Sequence, residues 1–186
     1  LSQTDRINRI VESLINFSKG DKSKEGLFYP VNLRKVIEEA IKLLTLGDIE
    51  PKVIFTADIS PDMDVLGDYH QLVQIFLNLL SNSRDASPSS SQVTILAERD
   101  SQNIRVTVND SGAGIDQELQ SRLYEPFVTN KEPGQGTGLG LWIVFKLVKD
   151  LGANISISSP AENSTCGTTV ALNFKAYTSD AVEDAL

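Results

Sequence analysis

Residues 68–86 carry apolar side chains at Leu72, Val73, Ile75, Phe76, Leu77, Leu79 and Leu80. That recurrence predicts a single helix, with Asp68 as its cap. Between the apolar positions runs a narrow polar stripe of Gln71, Gln74, Asn78, Asn82 and Asp85. Steps of three and four place all five along one line of the helix. A solvated helix face normally carries Lys and Glu, whereas this stripe is built of amides and one carboxylate. Two readings follow. The stripe is either a satisfied amide ladder inside a core or the wall of a pocket. In a pocket, its amide oxygens would suit a hard cation such as magnesium.

The same pattern predicts the other elements. Leu33, Val36, Ile37, Ala40, Ile41 and Leu44 form the apolar face of a second helix capped by Asn32, with Glu38 one turn before Lys42. Strands are expected at 53–59, 64–66, 92–99 and 103–109, the last two forming a hairpin over Asp100, Ser101 and Gln102. Residues 87–91 and 159–167 read as loops, 116–124 as a short helix, and 153–158 and 168–174 as closing strands. Near the start, Ile7, Ile10, Val11, Leu14 and Phe17 make a heptad-like seam over 1–18. It could dock on its own domain, but it fits better as part of a helical bundle with a second chain. Residues 19–27, KGDKSKEGL, read as a hinge, and 177–186 as a fraying acidic tail.

Two further stretches suggest chemistry. Ile104, Val106 and Val108 share one strand face, and Asp110 continues it. A carboxylate therefore ends an inward-facing row, just before Gly112, Gly114 and Ile115. A polar turn closing a strand is the plain alternative. Downstream, Gly134, Gly136, Gly138 and Gly140 lead into an apolar helix that stops near Gly152. A glycine-rich turn opening a helix presents free N–H groups and a positive dipole end, which together bind phosphate. The run lacks the Walker pattern and follows no strand, so it is neither a P-loop nor a dinucleotide fingerprint. Glycines of a flexible, ligand-free loop are the alternative.

Composition narrows the classes. The chain has 186 residues and a formal charge of −8 from 17 basic and 25 acidic residues, with no basic cluster, which argues against a nucleic-acid surface. Cys166 is the single cysteine and can form no internal disulfide, so a reducing compartment is expected. No run is long and apolar enough for a membrane span, and no signal peptide is evident. The chain starts inside an apparent helix and is read as a fragment of a longer protein.

Four features stand in order: NLLSNSRDA at 78–86, DSGAGI at 110–115, YEPFVTNK at 124–131 and GQGTGLGL at 134–141. Together they resemble the asparagine, first glycine, phenylalanine and second glycine boxes of sensor histidine kinases. That family lies within the wider group of DNA gyrase and the mismatch-repair ATPases. CGTTVALNF resembles the family's closing strand, and the match covers 28–176. The resemblance implies an α/β two-layer sandwich: a mixed, mostly antiparallel sheet on three helices, with ATP at one end. It also implies roles. Asn82 would bind magnesium, helped by Asn78, and these two are the expected catalytic residues. Asp110 would accept from the adenine amino group, supported by Thr168. Gly112, Gly114 and Ile115 would shape the base slot. Gly136, Thr137, Gly138, Leu139, Gly140 and Leu141 would hold the phosphates, under a lid over 128–136. Asp85, Tyr124, Phe127 and Lys131 complete the expected ATP site, with Lys131 near the terminal phosphate.

The resemblance further implies that 1–18 ends a dimerisation hairpin, so the full protein would be a homodimer. Its phosphoacceptor histidine would lie on the missing first helix, and a response regulator aspartate would receive the phosphoryl group. His70, the only histidine, is followed by QLVQ and sits about 18 Å along the helix from Asn82. It is expected to be a surface residue. The domain is expected to be cytoplasmic, with room for an inner-membrane anchor upstream. Alternatives are a serine-kinase anti-sigma factor, a nucleotide-sensing module without transfer, and a gyrase-like ATPase. The last is disfavoured because the chain has no second domain to supply a lysine.

Overall fold

The computed structural model describes residues 28–46, 52–129, 131, 136–162 and 164–178. The expected bundle helix over 1–18 and hinge over 19–27 lie outside the described residues. Helix α1 (Leu33–Thr45) begins where the Asn32 side chain accepts from the Lys35 N–H at 3.3 Å. It buries Leu33, Val36, Ile37 and Ala40 along one face. On the outer face Glu38 pairs with Arg34 at 2.9 Å rather than with Lys42. The planar guanidinium fork reaches the carboxylate from the preceding turn.

Helix α2 (Tyr69–Ala86) is capped by Asp68, which accepts from the Gln71 N–H at 2.9 Å. It lies between α1 and α4 (Gly140–Asp150) and against the sheet. Leu72, Ile75, Phe76, Leu79 and Leu80 of α2 are all but sealed from solvent. Each such burial contributes about 1.5–3 kcal/mol. Packing of this kind, more than helix propensity, therefore fixes where the amide stripe points.

The sheet has five strands: β2 (Val53–Asp58), β4 (Ser91–Arg99), β5 (Asn103–Asp110), β6 (Asn154–Ser158) and β7 (Thr168–Lys175), in the order β2-β4-β5-β7-β6. β2 runs parallel to β4, and every other neighbour is antiparallel. Ile95, Ile104, Val106, Val108, Leu172 and Phe174 face the helices from the central strands. The result is a mixed two-layer α/β sandwich with three principal helices.

Three expectations need correction. The first concerns β1 (Tyr29–Asn32), which pairs with β3 (Asp64–Gly67) in a separate two-stranded sheet. The sequence pattern places no strand there; Pro30 fits because an edge strand tolerates a missing N–H. The second concerns 116–124. Only α3 (Gln117–Gln120) is helical there, capped by Asp116, and i→i+3 turns follow through Arg122 and Glu125. Pro126 disfavours helix at the residue before it. The third concerns the loop at 87–91, whose last residue, Ser91, already belongs to β4.

Candidate nucleotide site

A cavity of about 530 Å³ lies where the C-terminal half of α2, the end of β5, the start of β7 and the first turn of α4 converge. Gln74, Asn78, Asn82 and Asp85 line it; Gln71 does not. The Gln71 Oε1 is buried without a partner among the described residues. The Asn78 Nδ2 donates to the Gln74 carbonyl at 3.0 Å, which fixes the amide and leaves its oxygen without a partner among the described residues. A Cβ on Gly140 would stand 3.3 Å from Asn78 Oδ1 and 3.8 Å from Asn82 Nδ2. A glycine at 140 thus keeps open the space in front of both amides. Among the described residues, no hydrogen bond engages the Asn82 side chain. A fully satisfied amide ladder would look different.

At the other end stands Asp110, in register with Thr168 across β5 and β7. Its Oδ1 accepts from the Gly112 N–H at 2.9 Å and the Thr168 N–H at 3.1 Å. The carboxylate is thereby held rigidly with its other oxygen uncommitted to the backbone. Gly167 has φ +81°, and a Cβ there would lie 2.1 Å from the Asp110 carbonyl oxygen, so only glycine fits. Ser159 ties the neighbouring loops together. Its hydroxyl accepts from the Ile115 N–H at 2.7 Å and donates to the Gly167 carbonyl at 3.1 Å. Nothing in the loop sequence distinguishes Ser159 from the serines around it.

Burial pushes the Asp110 carboxyl above its ordinary range, while the Gly112 and Thr168 N–H groups and the Ser83 hydroxyl pull it back. A raised pKa in the fold means that the folded state holds the proton more tightly than the unfolded chain. Stability therefore falls as pH rises from the ordinary carboxylate range through the raised value, and stays lower above it. Asp110→Asn keeps an acceptor for both N–H groups and removes the charge. The melting temperature of this variant should exceed that of the wild type by more at pH 7 than at pH 3. Parallel melting curves across that range would contradict the buried-charge account.

The glycine run supplies the third wall. Gly136, Thr137, Gly138, Gly140 and Leu141 line the cavity. Gly138 takes φ +66°, and a Cβ there would sit 2.4 Å from the Phe127 carbonyl carbon. The Phe127 N–H in turn donates to the Gly138 carbonyl at 2.9 Å. Lys131 reaches the cavity and pairs with Asp85, Nζ to Oδ2, at 2.6 Å.

Of the expected site residues, Asn78, Asn82, Asp85, Asp110, Gly114, Ile115, Lys131 and Thr168 come together with those of the glycine run on one wall system. Four others do not line it. Leu139 is buried in the core. Tyr124 stacks on Phe145 with ring centroids 4.5 Å apart. Phe127 is 63% exposed. Gly112 supports the wall from behind, because a Cβ there would strike the Ala86 carbonyl oxygen at 2.7 Å. The apolar side of the cavity, with Leu119, Leu123, Ile157 and Val170, went unnoticed in the sequence. An apolar residue lining a slot carries the same signature as one in the core.

Residues 67–178 match the family described as histidine kinase-, DNA gyrase B-, and HSP90-like ATPases. Sporulation kinase A of Bacillus subtilis (strain 168) is 34% identical over 167 residues, which make up 88% of this chain and 27% of that protein. The C4-dicarboxylate transport sensor protein DctB of Rhizobium meliloti (strain 1021) is 32% identical over 175 residues, 92% of this chain and 27% of that one. The chain thus spans about a quarter of the length of these curated relatives. Among solved structures, the nucleotide-free catalytic domain of histidine kinase ThkA superposes with a TM-score of 0.68 at 29% identity, covering 80% of this chain and 95% of that one. The complex of ThkA with response regulator protein TrrA gives 0.73 at 23% identity, covering 94% of this chain and 49% of that one. By sequence and by fold, this chain belongs to the family of histidine kinase-, DNA gyrase B-, and HSP90-like ATPases and carries a catalytic domain of the sensor histidine kinase type.

Proposed function

We propose that the chain binds magnesium–ATP in this cavity and phosphorylates a histidine on a dimerisation hairpin, for relay to a response regulator. The observation that carries the reading is the juxtaposition in one cavity of a rigidly held carboxylate, two amides whose oxygens have no partner among the described residues, and a glycine-opened helix start. The carboxylate suits an exocyclic amino group at the base end. The helix start suits phosphate oxygens. Among the described residues no three His, Cys, Asp or Glu side chains cluster as a metal site. A magnesium ion would therefore rest on Asn82, with Asn78 beside it, and on the phosphates themselves. That donor set fits a hard cation that keeps some of its waters.

ATP supplies the phosphoryl group and magnesium neutralises its oxygens. The chain itself contributes binding and orientation, which phosphoryl transfer chiefly requires. In this reading Gly114, Ile115 and Thr168 flank the base, and Gly136, Thr137, Gly138, Gly140 and Leu141 hold the phosphates. His70 is exposed near the start of α2 and its ring meets Tyr69 edge-on. At about 18 Å along the helix from Asn82 it is no acceptor, so the acceptor histidine belongs to another segment or chain. That ThkA is seen with a response regulator supports the relay step. The seam over 1–18 supports a homodimeric hairpin. No described helix is long and apolar enough to cross a membrane, and a cytoplasmic setting is part of this proposal.

The test joins this chain to its complete hairpin and supplies labelled ATP with magnesium. The expected product is acid-labile, alkali-stable phosphate on the hairpin histidine. Acid-stable label on a serine would instead favour an anti-sigma-type kinase and contradict the reading.

A further inference from the structure

Among the described residues, the cavity wall carries three charged side chains: Asp85, Asp110 and Lys131. Its formal charge is thus negative, although the proposed ligand is a polyanion. The one cation among these described residues is already committed, since Lys131 Nζ sits 2.6 Å from Asp85 Oδ2. Its position is built rather than incidental. The Lys131 N–H donates to the Thr129 hydroxyl at 3.1 Å, and a Cβ on Gly136 would stand 3.0 Å from the Lys131 Cδ. Asp85 is likewise held. Arg84 Nε lies 3.6 Å from its other oxygen, and Lys52 fastens the end of α2 through the Arg84 and Asp85 carbonyls at 3.0 Å each. Neither Arg84 nor Lys52 lines the cavity.

A phosphate chain that draws Lys131 to itself must take it from Asp85. The carboxylate is then left facing phosphate oxygens of the same sign. Like charges brought together there repel, and because the Lys131 and Asp85 side chains keep 28% and 38% of their surface in water, solvent screens part of that repulsion. A divalent cation arriving with the phosphates lessens that repulsion, because it cancels part of their negative charge. We infer that Asp85 makes nucleotide binding obligatorily metal-dependent: the Asp85–Lys131 pair disfavours metal-free ATP and admits the magnesium complex. Asp85 is thus a specificity-determining residue that selects the metal-bound form of the nucleotide. The inference rests on the proposal that ATP occupies this cavity.

The experiment measures equilibrium binding of ATP to the whole chain, in magnesium and in EDTA, for the wild type, Asp85→Asn and Lys131→Gln. Melting curves of each protein without nucleotide establish that it is folded. Asp85→Asn should bind metal-free ATP at least about tenfold more tightly than the wild type, which narrows the gap between the two conditions. Lys131→Gln should weaken binding in both conditions. If Asp85 served only to hold the lysine, both substitutions would weaken binding alike. That outcome, or an unchanged ratio of magnesium to EDTA affinity in Asp85→Asn, overturns the inference while leaving the ATP site intact. A folded wild type that binds no ATP even with magnesium overturns the proposed function, and this inference with it.

Discussion

Asn82→Ala is expected to lower magnesium-dependent ATP affinity by more than about 100-fold, beyond the 10- to 100-fold usual for partners that only orient a metal ligand. The fold should survive. Asn82 is half-buried on the cavity wall and engages no hydrogen bond among the described residues, so truncation breaks none of them. Stability should change within about 0.5 kcal/mol, the usual range for substitutions away from packed or hydrogen-bonded features. The neighbours on the helix behave differently. Leu79 and Leu80 are sealed in the core, and alanine there would cost about 2–5 kcal/mol through the cavity left behind. The contrast separates the two readings of the amide stripe. Lost metal-dependent binding with an intact melt marks a ligand. An intact affinity for magnesium–ATP would remove Asn82 from the site.

Asp110→Ala is expected to weaken ATP binding by about 2 kcal/mol, the scale of a hydrogen bond to a charged group, or roughly thirtyfold. Selectivity over GTP should fall with it, since guanine presents no amino donor at the same edge. The alanine variant also strands the Gly112 and Thr168 N–H groups that Oδ1 now accepts, so some stability is lost alongside. Asp110→Asn isolates the recognition step, because its Oδ1 can still accept both N–H groups while its NH2 opposes the adenine amino donor. It should lose ATP affinity and keep its fold. Equal binding of ATP and GTP by the wild type would reduce Asp110 to a turn residue.

Sequence periodicity located the framework well where burial is one-sided. The stripe on α2 and the row Ile104, Val106, Val108 and Asp110 on β5 each put a polar group where only apolar ones are expected, and Gln74, Asn78, Asn82, Asp85 and Asp110 line the cavity. Other features left no such mark. Strand β1 carries a proline and pairs only at an edge. Leu119, Leu123, Ile157 and Val170 complete the slot from α3, the turns after it, β6 and β7, and their apolar character is explained equally well by a core. Ser159 acts through two hydrogen bonds to loops far apart in sequence, a relation that exists only after folding. The Asp85–Lys131 pair spans 46 residues and is equally invisible to local spacing. Motif resemblance brought Tyr124 and Phe127 into the expected site, yet neither lines the cavity. A box of adjacent letters does not specify which of its side chains point inward.

The central claim is that magnesium–ATP occupies the cavity between α2, the β5–β7 ends and the start of α4. The most direct measurement is amide chemical-shift mapping of the labelled chain with magnesium and a non-hydrolysable ATP analogue. The account predicts that the largest shifts cluster at two places: Gly114, Ile115 and Thr168 at the base end, and Asn82, Gly136, Thr137 and Gly138 at the phosphate end. Shifts centred instead on the far hairpin around Glu98, Asp100 and Asn103, or no saturable shift at all, would contradict it.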